Sequence, residues 1–250
     1  MAEATRTEAA KVTSIFVYPI KSCRGISVPQ APLASTGFRW DRQWLVVNSK
    51  GRAYTQRVEP KLALVQVELP DEAFAESWKP AKNSYLASQI RPVETEYAHG
   101  YNVMFPDGYP FLLLSQGSMD ALNKLLKEPI PVNRFRPNIL VDGCEPFVED
   151  LWKELRINQL TFYGVKLCSR CKVPTINQEN AVAGSEPTET LVKFRSDRVL
   201  RPTGKQQGKV YFGQNLVCKD SLTGGKEKII KVGDPVFVLK AVPSCADAAA

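Results

Sequence analysis

Cys168-Ser169-Arg170-Cys171 sets two thiols, a hydroxyl and a guanidinium side by side. An arginine beside a thiol favours the charged sulfur, and a thiolate is a good ligand for a soft or high-valent metal centre. Three chemistries suit this Cys-x-x-Cys. A thioredoxin-like redox pair would open a helix in a βαβ setting, but Pro174 and the strand pattern upstream argue for a loop leaving a sheet. Half of a zinc site would need two more ligands. Cys23, Cys144, Cys218, Cys245 and His99 supply no second close pair. The third chemistry is a single thiolate ligating a metal or cofactor, with Ser169 and Arg170 holding an anionic group through charge-assisted hydrogen bonds. A pair of ordinary buried thiols would look the same, because free cysteine behaves as a small hydrophobe.

Other polar stretches bear on that choice. Lys21-Ser22-Cys23-Arg24-Gly25 is either a solvated turn or an anion cradle, since Lys, Ser and backbone N–H groups suit phosphate. Asn133-Arg134-Phe135-Arg136-Pro137-Asn138 is either a salt-bridged loop or a polar clamp whose planar guanidinium groups match phosphate or carboxylate. Arg42 and Arg57 bracket a hairpin and by default are surface arginines. Asp107 is a turn residue or a site carboxylate. With one histidine in 250 residues, a His-rich zinc site cannot be built, and a Ser-His-Asp triad has one candidate base. The hard chemistry then belongs to a cofactor or to other side chains.

The elements that must position these groups are mostly strands. Val12–Tyr18 is β-branched and aromatic, closed by Pro19. Gln43–Asn48, Ala53–Gln56 and Leu62–Leu69 read as an antiparallel meander turned at Gly51. Residues 70–105 are poorly patterned and read as a long loop or linker. Tyr109–Leu114 is an apolar run. A helix follows over Gln116–Lys127, with Met119, Leu122, Leu125 and Leu126 on one stripe and Pro129 beyond its end. Ile139–Val141 and Leu160–Val165 are strands, the second leading into the Cys loop. Pro187 opens a short helix through Phe194. Val210–Val217, Ile229–Val232 and Val236–Leu239 are the last strands, and the tail after Val242 should be disordered.

Composition sets outer bounds. The chain is 44% hydrophobic and 24% charged, an ordinary globular balance. Its 18 prolines and 15 glycines suit many short strands. No apolar run approaches a membrane span. The N-terminus has no apolar signal core and carries two acidic residues, so the expectation is a soluble, cytoplasmic chain with reduced thiols. The net charge of +7 favours anionic ligands or an acidic protein partner. Nucleic acid is not expected, because the basic residues form no dense run with interleaved aromatics.

Five stretches occur in a fixed order: Tyr18-Pro-Ile-Lys21-Ser22-Cys23-Arg24-Gly25, Asp41-Arg42-Gln-Trp44, Phe135-Arg136-Pro137-Asn138, Cys168-Ser-Arg-Cys171 and Phe212-Gly213-Gln214-Asn215. Together they resemble the MOSC family, specifically the mitochondrial amidoxime-reducing component and its plant relatives, from about Val12 to Leu239. The resemblance implies a mainly β fold with a few helices (α+β), a MOSC β-barrel with a smaller N-terminal β domain. The implied division is 11–92 for the N-terminal domain, 93–242 for the MOSC domain and 243–250 for a disordered tail. It further implies a molybdenum cofactor, a pterin dithiolene bearing a phosphate. The implied reaction is reduction of N-hydroxylated substrates such as amidoximes and hydroxylamines, with electrons from a b5-type cytochrome and its NADH-dependent reductase. By the same resemblance, Cys171 ligates molybdenum, and Lys21, Ser22, Arg42, Arg136, Asn138, Ser169 and Arg170 contact the cofactor. Tyr109 lies near the pterin and Asp107 beside the metal, where it could move protons.

Two departures from the family stand out. Residues 70–105 are shorter than the family's stretch, with a junction at Ala87-Ser88-Gln89. The animal relatives carry an N-terminal membrane anchor, which is not expected here, and this leaves a mitochondrial location as the alternative to a cytoplasmic one. A non-catalytic cofactor carrier is the rival reading, and a cofactor-sulfurating role is another. The latter is the role of a MOSC domain fused to a desulfurase, and the lack of a pyridoxal-phosphate domain weighs against it. Pyridoxal phosphate binding is carried over from the resemblance as a domain-level expectation.

Overall fold

Phe111 to Ser115 is five residues without a polar break except the last, and all five are buried. A strand reads this way when both its faces are covered. This strand is central to the fold. The computed structural model describes residues 7–75, 90–94, 96, 98–105, 108–223 and 228–248. Its strands are β1 (Ala10–Val17), β2 (Ile26–Val28), β3 (Gln30–Ala34), β4 (Gly37–Phe38), β5 (Arg91–Pro92), β6 (Asn102–Val103), β7 (Phe111–Ser115), β8 (Ile139–Asp142), β9 (Trp152–Ile157), β10 (Leu160–Ser169), β11 (Tyr211–Cys218), β12 (Ile229–Lys231) and β13 (Pro235–Ala241). The helices are α1 (Gln116–Asn123), α2 (Thr188–Arg195), α3 (Asp197–Leu200) and α4 (Cys245–Ala248).

Seven strands run in the order β13-β9-β10-β11-β7-β8-β1, and β1 pairs back onto β13, with Ala10 opposite Val236. The result is a closed β-barrel, which removes the unpaired edges an open sheet would expose. β2 extends it beside β1, and β12-β3-β4 and β5-β6 form two small sheets outside it. All barrel pairings are antiparallel except β7–β8, which α1 separates in sequence. The expected mainly-β barrel with a few helices is what the chain forms. Its first strand is shared, because β1 pairs with β8 and β13 from the later part of the chain.

Alternate residues fill the interior: Val12, Ile15, Phe111, Leu113, Ile139, Val141, Leu155 and Phe162 belong to one buried cluster. Phe111 packs edge-on against both Phe38 and Phe162, with centroids 5.0 and 5.5 Å away. The other face of β7 and β8, through Leu114 and Leu140, packs under α1 with Met119, Leu122, Phe135 and Phe212.

Several expectations are corrected. The meander over 43–69 does not form. Val47 and Ala53 make one antiparallel bridge, and Pro60–Leu64 is a 3-10 turn. Leu62 and Ala63 are buried in succession while Leu64 and Val65 are exposed in succession, which a strand's alternation cannot produce. Pro60 starts the turn, and the Glu59 carboxylate accepts from the Lys61 N–H at 3.1 Å. Beside β8 and β13, β1 also pairs with β2, a strand the sequence reading passed over.

The first helix stops at Asn123, not Lys127. The Asn123 amide turns the chain by exchanging two hydrogen bonds with the backbone of Ile130, and Leu125, expected on the stripe, is exposed. Helix α2 begins one residue after Pro187. The tail is not wholly irregular: α4 forms there and buries Ala248. Within 70–105, β5 and β6 form a short hairpin. The proposed junction at 87–89 lies outside the described residues.

Candidate functional site

The Cys loop begins later than the sequence suggested, because β10 carries Cys168 and Ser169 as strand residues and releases only Arg170 and Cys171. The pairing of β10 with β11 slips between Gly164 and Lys166 and again between Leu167 and Ser169. Bulges re-aim side chains in this way. Gly213, at φ +89°, takes part in the distortion of β11. A Cβ there would lie 2.5 Å from a Leu114 methyl, so glycine is required on two counts.

These strand ends, the turn after β1 and the loop before β8 enclose a cavity of about 320 Å³. Lys21, Ser22, Arg42, Tyr109, Arg136, Asn138, Ser169, Arg170 and Cys171 all line it. Of the candidate site residues, Asp107 alone lies outside the described residues. Arg57, Phe135, Cys168 and Asn215 join the lining. Five of the lining side chains are cations, and none of the described ones is a carboxylate.

Tyr18 organises the cations. It is buried, its hydroxyl donates to the Pro137 carbonyl at 3.0 Å, and burial pushes its phenol up to about 12 despite the nearby arginines. The guanidinium groups of Arg136 and Arg42 lie over its ring, 4.3 and 4.5 Å from the centroid. Gly25 makes room for the ring, since a Cβ there would sit 2.4 Å from it.

Arg42 donates to the Asp41 carboxylate at 2.6 Å and to the side-chain amide oxygen of Asn138 at 3.1 Å. The same Asn138 oxygen accepts from the Leu112 N–H at 3.2 Å, and its amide donates to the Phe16 carbonyl at 3.2 Å. Asn138 therefore joins β1, β7 and β8 while aiming Arg42. Arg136 donates to the Cys23 carbonyl at 2.8 Å. Ser22, Arg42 and Arg136 all adopt positive φ, at 68°, 47° and 56°. Such strain persists where surrounding contacts over-determine it, and it gathers at functional sites.

Arg170 donates to the Phe135 carbonyl at 2.7 Å and to the Cys168 sulfur at 3.1 Å. Its Nε is buried with no acceptor among the described residues. Cys168 is half-buried and Cys171 exposed, so the second thiol is the one open to the cavity mouth. Tyr109 donates to Glu94 at 3.2 Å. The Lys166 ammonium, hydrogen-bonded to Glu94 at 2.9 Å, holds that carboxyl below its usual range.

The sequence reading missed a support under Ser22. Gln56, fully buried, donates to the Ser22 carbonyl at 2.7 Å and exchanges two 3.0 Å amide bonds with Gln178. Its neighbours Thr55 and Arg57 are polar too, so nothing in the sequence signalled that Gln56 would be buried. Among the described residues no three His, Cys, Asp or Glu side chains converge as metal ligands.

Comparison with known proteins gives two domain matches: the MOSC N-terminal beta barrel domain over residues 9–97 and the MOSC domain over residues 100–237. Mitochondrial amidoxime-reducing component 1 of Mus musculus is 28% identical, covering 93% of this chain and 83% of the relative. The protein of the same name from Xenopus laevis is 30% identical, covering 90% of this chain and 81% of its own. The two alignments span 294 and 286 positions, so each relative carries residues that this 250-residue chain lacks. Among solved structures, the YuaD protein from Bacillus subtilis is 10% identical, covers 91% of this chain and 93% of its own, and has a TM-score of 0.43. That likeness is too slight to carry an argument.

Proposed function

The chain belongs to the MOSC domain family, and from that premise we propose that its cavity holds a molybdenum cofactor and that it reduces N-hydroxylated substrates, amidoximes and hydroxylamines among them. The observation that carries this reading is the gathering of Lys21, Arg42, Arg136 and Arg170 and an exposed thiol around one cavity with no carboxylate among its described lining residues. A pterin phosphate needs such a lining. The unpaired Nε of Arg170 is a donor that a ligand oxygen would satisfy.

In this reading Lys21, Ser22, Arg42, Arg136, Ser169 and Arg170 hold the cofactor, and Asn138 fixes Arg42. Tyr109 borders the pterin. Cys171 is the protein ligand to the metal. When bound, the cofactor supplies the electrons that cleave the N–O bond. Cleavage consumes two protons as well as two electrons: Asp107 would pass one to the leaving oxygen, which departs as water, and solvent would supply the other to the nitrogen. Electrons arrive from a b5-type cytochrome and its NADH-dependent reductase, an acidic donor suiting a chain of net charge +7. Among the described residues no helix is long and apolar enough to cross a membrane. The relatives' names include the word mitochondrial, which favours that location over a cytoplasmic one. In this reading the residues missing relative to the family belong mainly to the N-terminal domain. Pyridoxal phosphate has no part in this reading.

Turnover tests it. Full-length protein, loaded in a host that makes the cofactor, is supplied with a chemically reduced dye and benzamidoxime. The expected result is stoichiometric benzamidine. Loaded protein that forms no benzamidine would leave cofactor carriage, not reduction, as the activity.

A further inference from the structure

Of the five cations lining the cavity, four are built into the protein. Arg42, Arg136 and Arg170 donate to protein acceptors, and Lys21 is buried. Arg57 differs. It is exposed, and among the described residues it makes no hydrogen bond or ion pair. Its base is nonetheless fixed, because neighbouring Gln56 is locked to Ser22 and Gln178 by three hydrogen bonds. The other exposed side chains of the lining are Ser169 and Cys171. Arg57 is thus the cation of the mouth, on the rim that also carries the exposed thiol.

The two settings suit two kinds of anion. A resident cofactor is best held by buried donors whose geometry is already fixed. A group that enters and leaves at each turnover needs a hydrated, uncommitted donor, and a guanidinium fork matches a carboxylate edge. We propose that Arg57 is a specificity-determining residue that favours N-hydroxylated substrates bearing a carboxylate over neutral ones. The proposal rests on the reductase reading of the same cavity. At an exposed rim the pair is screened by salt, so the preference is modest.

The test uses the full-length, cofactor-loaded protein with benzamidoxime and 4-carboxybenzamidoxime as probes. R57Q and R57K are compared with the wild type by calorimetric binding, steady-state turnover and molybdenum content. R57Q keeps its molybdenum, binds the carboxylated probe about 2- to 5-fold more weakly and raises its KM by the same factor, with kcat unchanged. The neutral probe is unaffected, and R57K recovers part of the loss. Equal weakening of both probes in R57Q, or equal binding of both by the wild type, overturns the proposal. So does loss of molybdenum from R57Q, which would make Arg57 a cofactor ligand. The binding arm does not depend on turnover. A wild type that prefers the carboxylated probe through Arg57 but reduces neither would sink the reductase reading and leave the anion selection standing.

Discussion

Asn138 shows how one side chain serves both fold and site. It is 1% exposed, its oxygen accepts from Leu112 and Arg42, and its amide donates to Phe16. Substitution by alanine removes the acceptor of the buried Leu112 N–H and a donor to the half-buried Phe16 carbonyl, each loss costing about 1–3 kcal/mol. We expect N138A to lose about 2–4 kcal/mol in urea unfolding and to retain less molybdenum because Arg42 is no longer aimed. Unchanged stability with normal loading would contradict this role. The sequence marked Asn138 as part of a polar clamp, but its structural work was hidden, because Phe16 lies 122 positions away. Tyr18 was hidden for the same reason: an aromatic closing a strand gives no sign that two distant arginines will lie over it.

Among the elements, the link from α3 to β11 carries the clearest pH dependence. Asp197, the first residue of α3, accepts from the N–H groups of Gln207 at 2.6 Å, Arg198 at 2.9 Å and Lys209 at 3.2 Å. These bonds, Gln207's foremost, hold its carboxyl below the usual aspartate range. They close the loop that ends at Val210, whose carbonyl accepts from the Arg170 N–H at 2.7 Å. A carboxyl whose folded pKa is depressed stabilises the fold while it is ionised. Its contribution is complete above the unfolded aspartate range and is lost as pH falls through the lower folded value. In thermal melts D197N should lie below the wild type at neutral pH, with the gap closing on acidification. A gap that does not depend on pH would exclude this role. Legibility varied among the elements for a physical reason. β1, β7, β8 and β10 were readable because barrel strands carry unbroken or alternating apolar residues. The stretch 43–69 was misread because β-branched residues are also used in irregular segments that pack on a barrel from outside.

Across the whole molecule, closure of β1 on β13 makes the site a product of distant segments. The turn after β1 brings Lys21 and Ser22, β8 is preceded by Arg136 and Asn138, and the end of β10 brings Ser169 to Cys171. Sequence order alone listed these groups without saying that they share one cavity. That followed only from the barrel, since hydrogen bonds such as Arg136 to Cys23 span more than a hundred positions. The shared cationic chemistry of the stretches was legible, and the resemblance to the MOSC family gave it a cofactor. The central claim is that this cavity retains molybdenum through Cys171, and metal analysis of purified protein tests it most directly. Made in a host that synthesises the cofactor, the wild type and C168A should each carry close to one molybdenum per chain, and C171A should carry almost none. A folded wild type without molybdenum, or equal loss from C168A and C171A, would contradict the account.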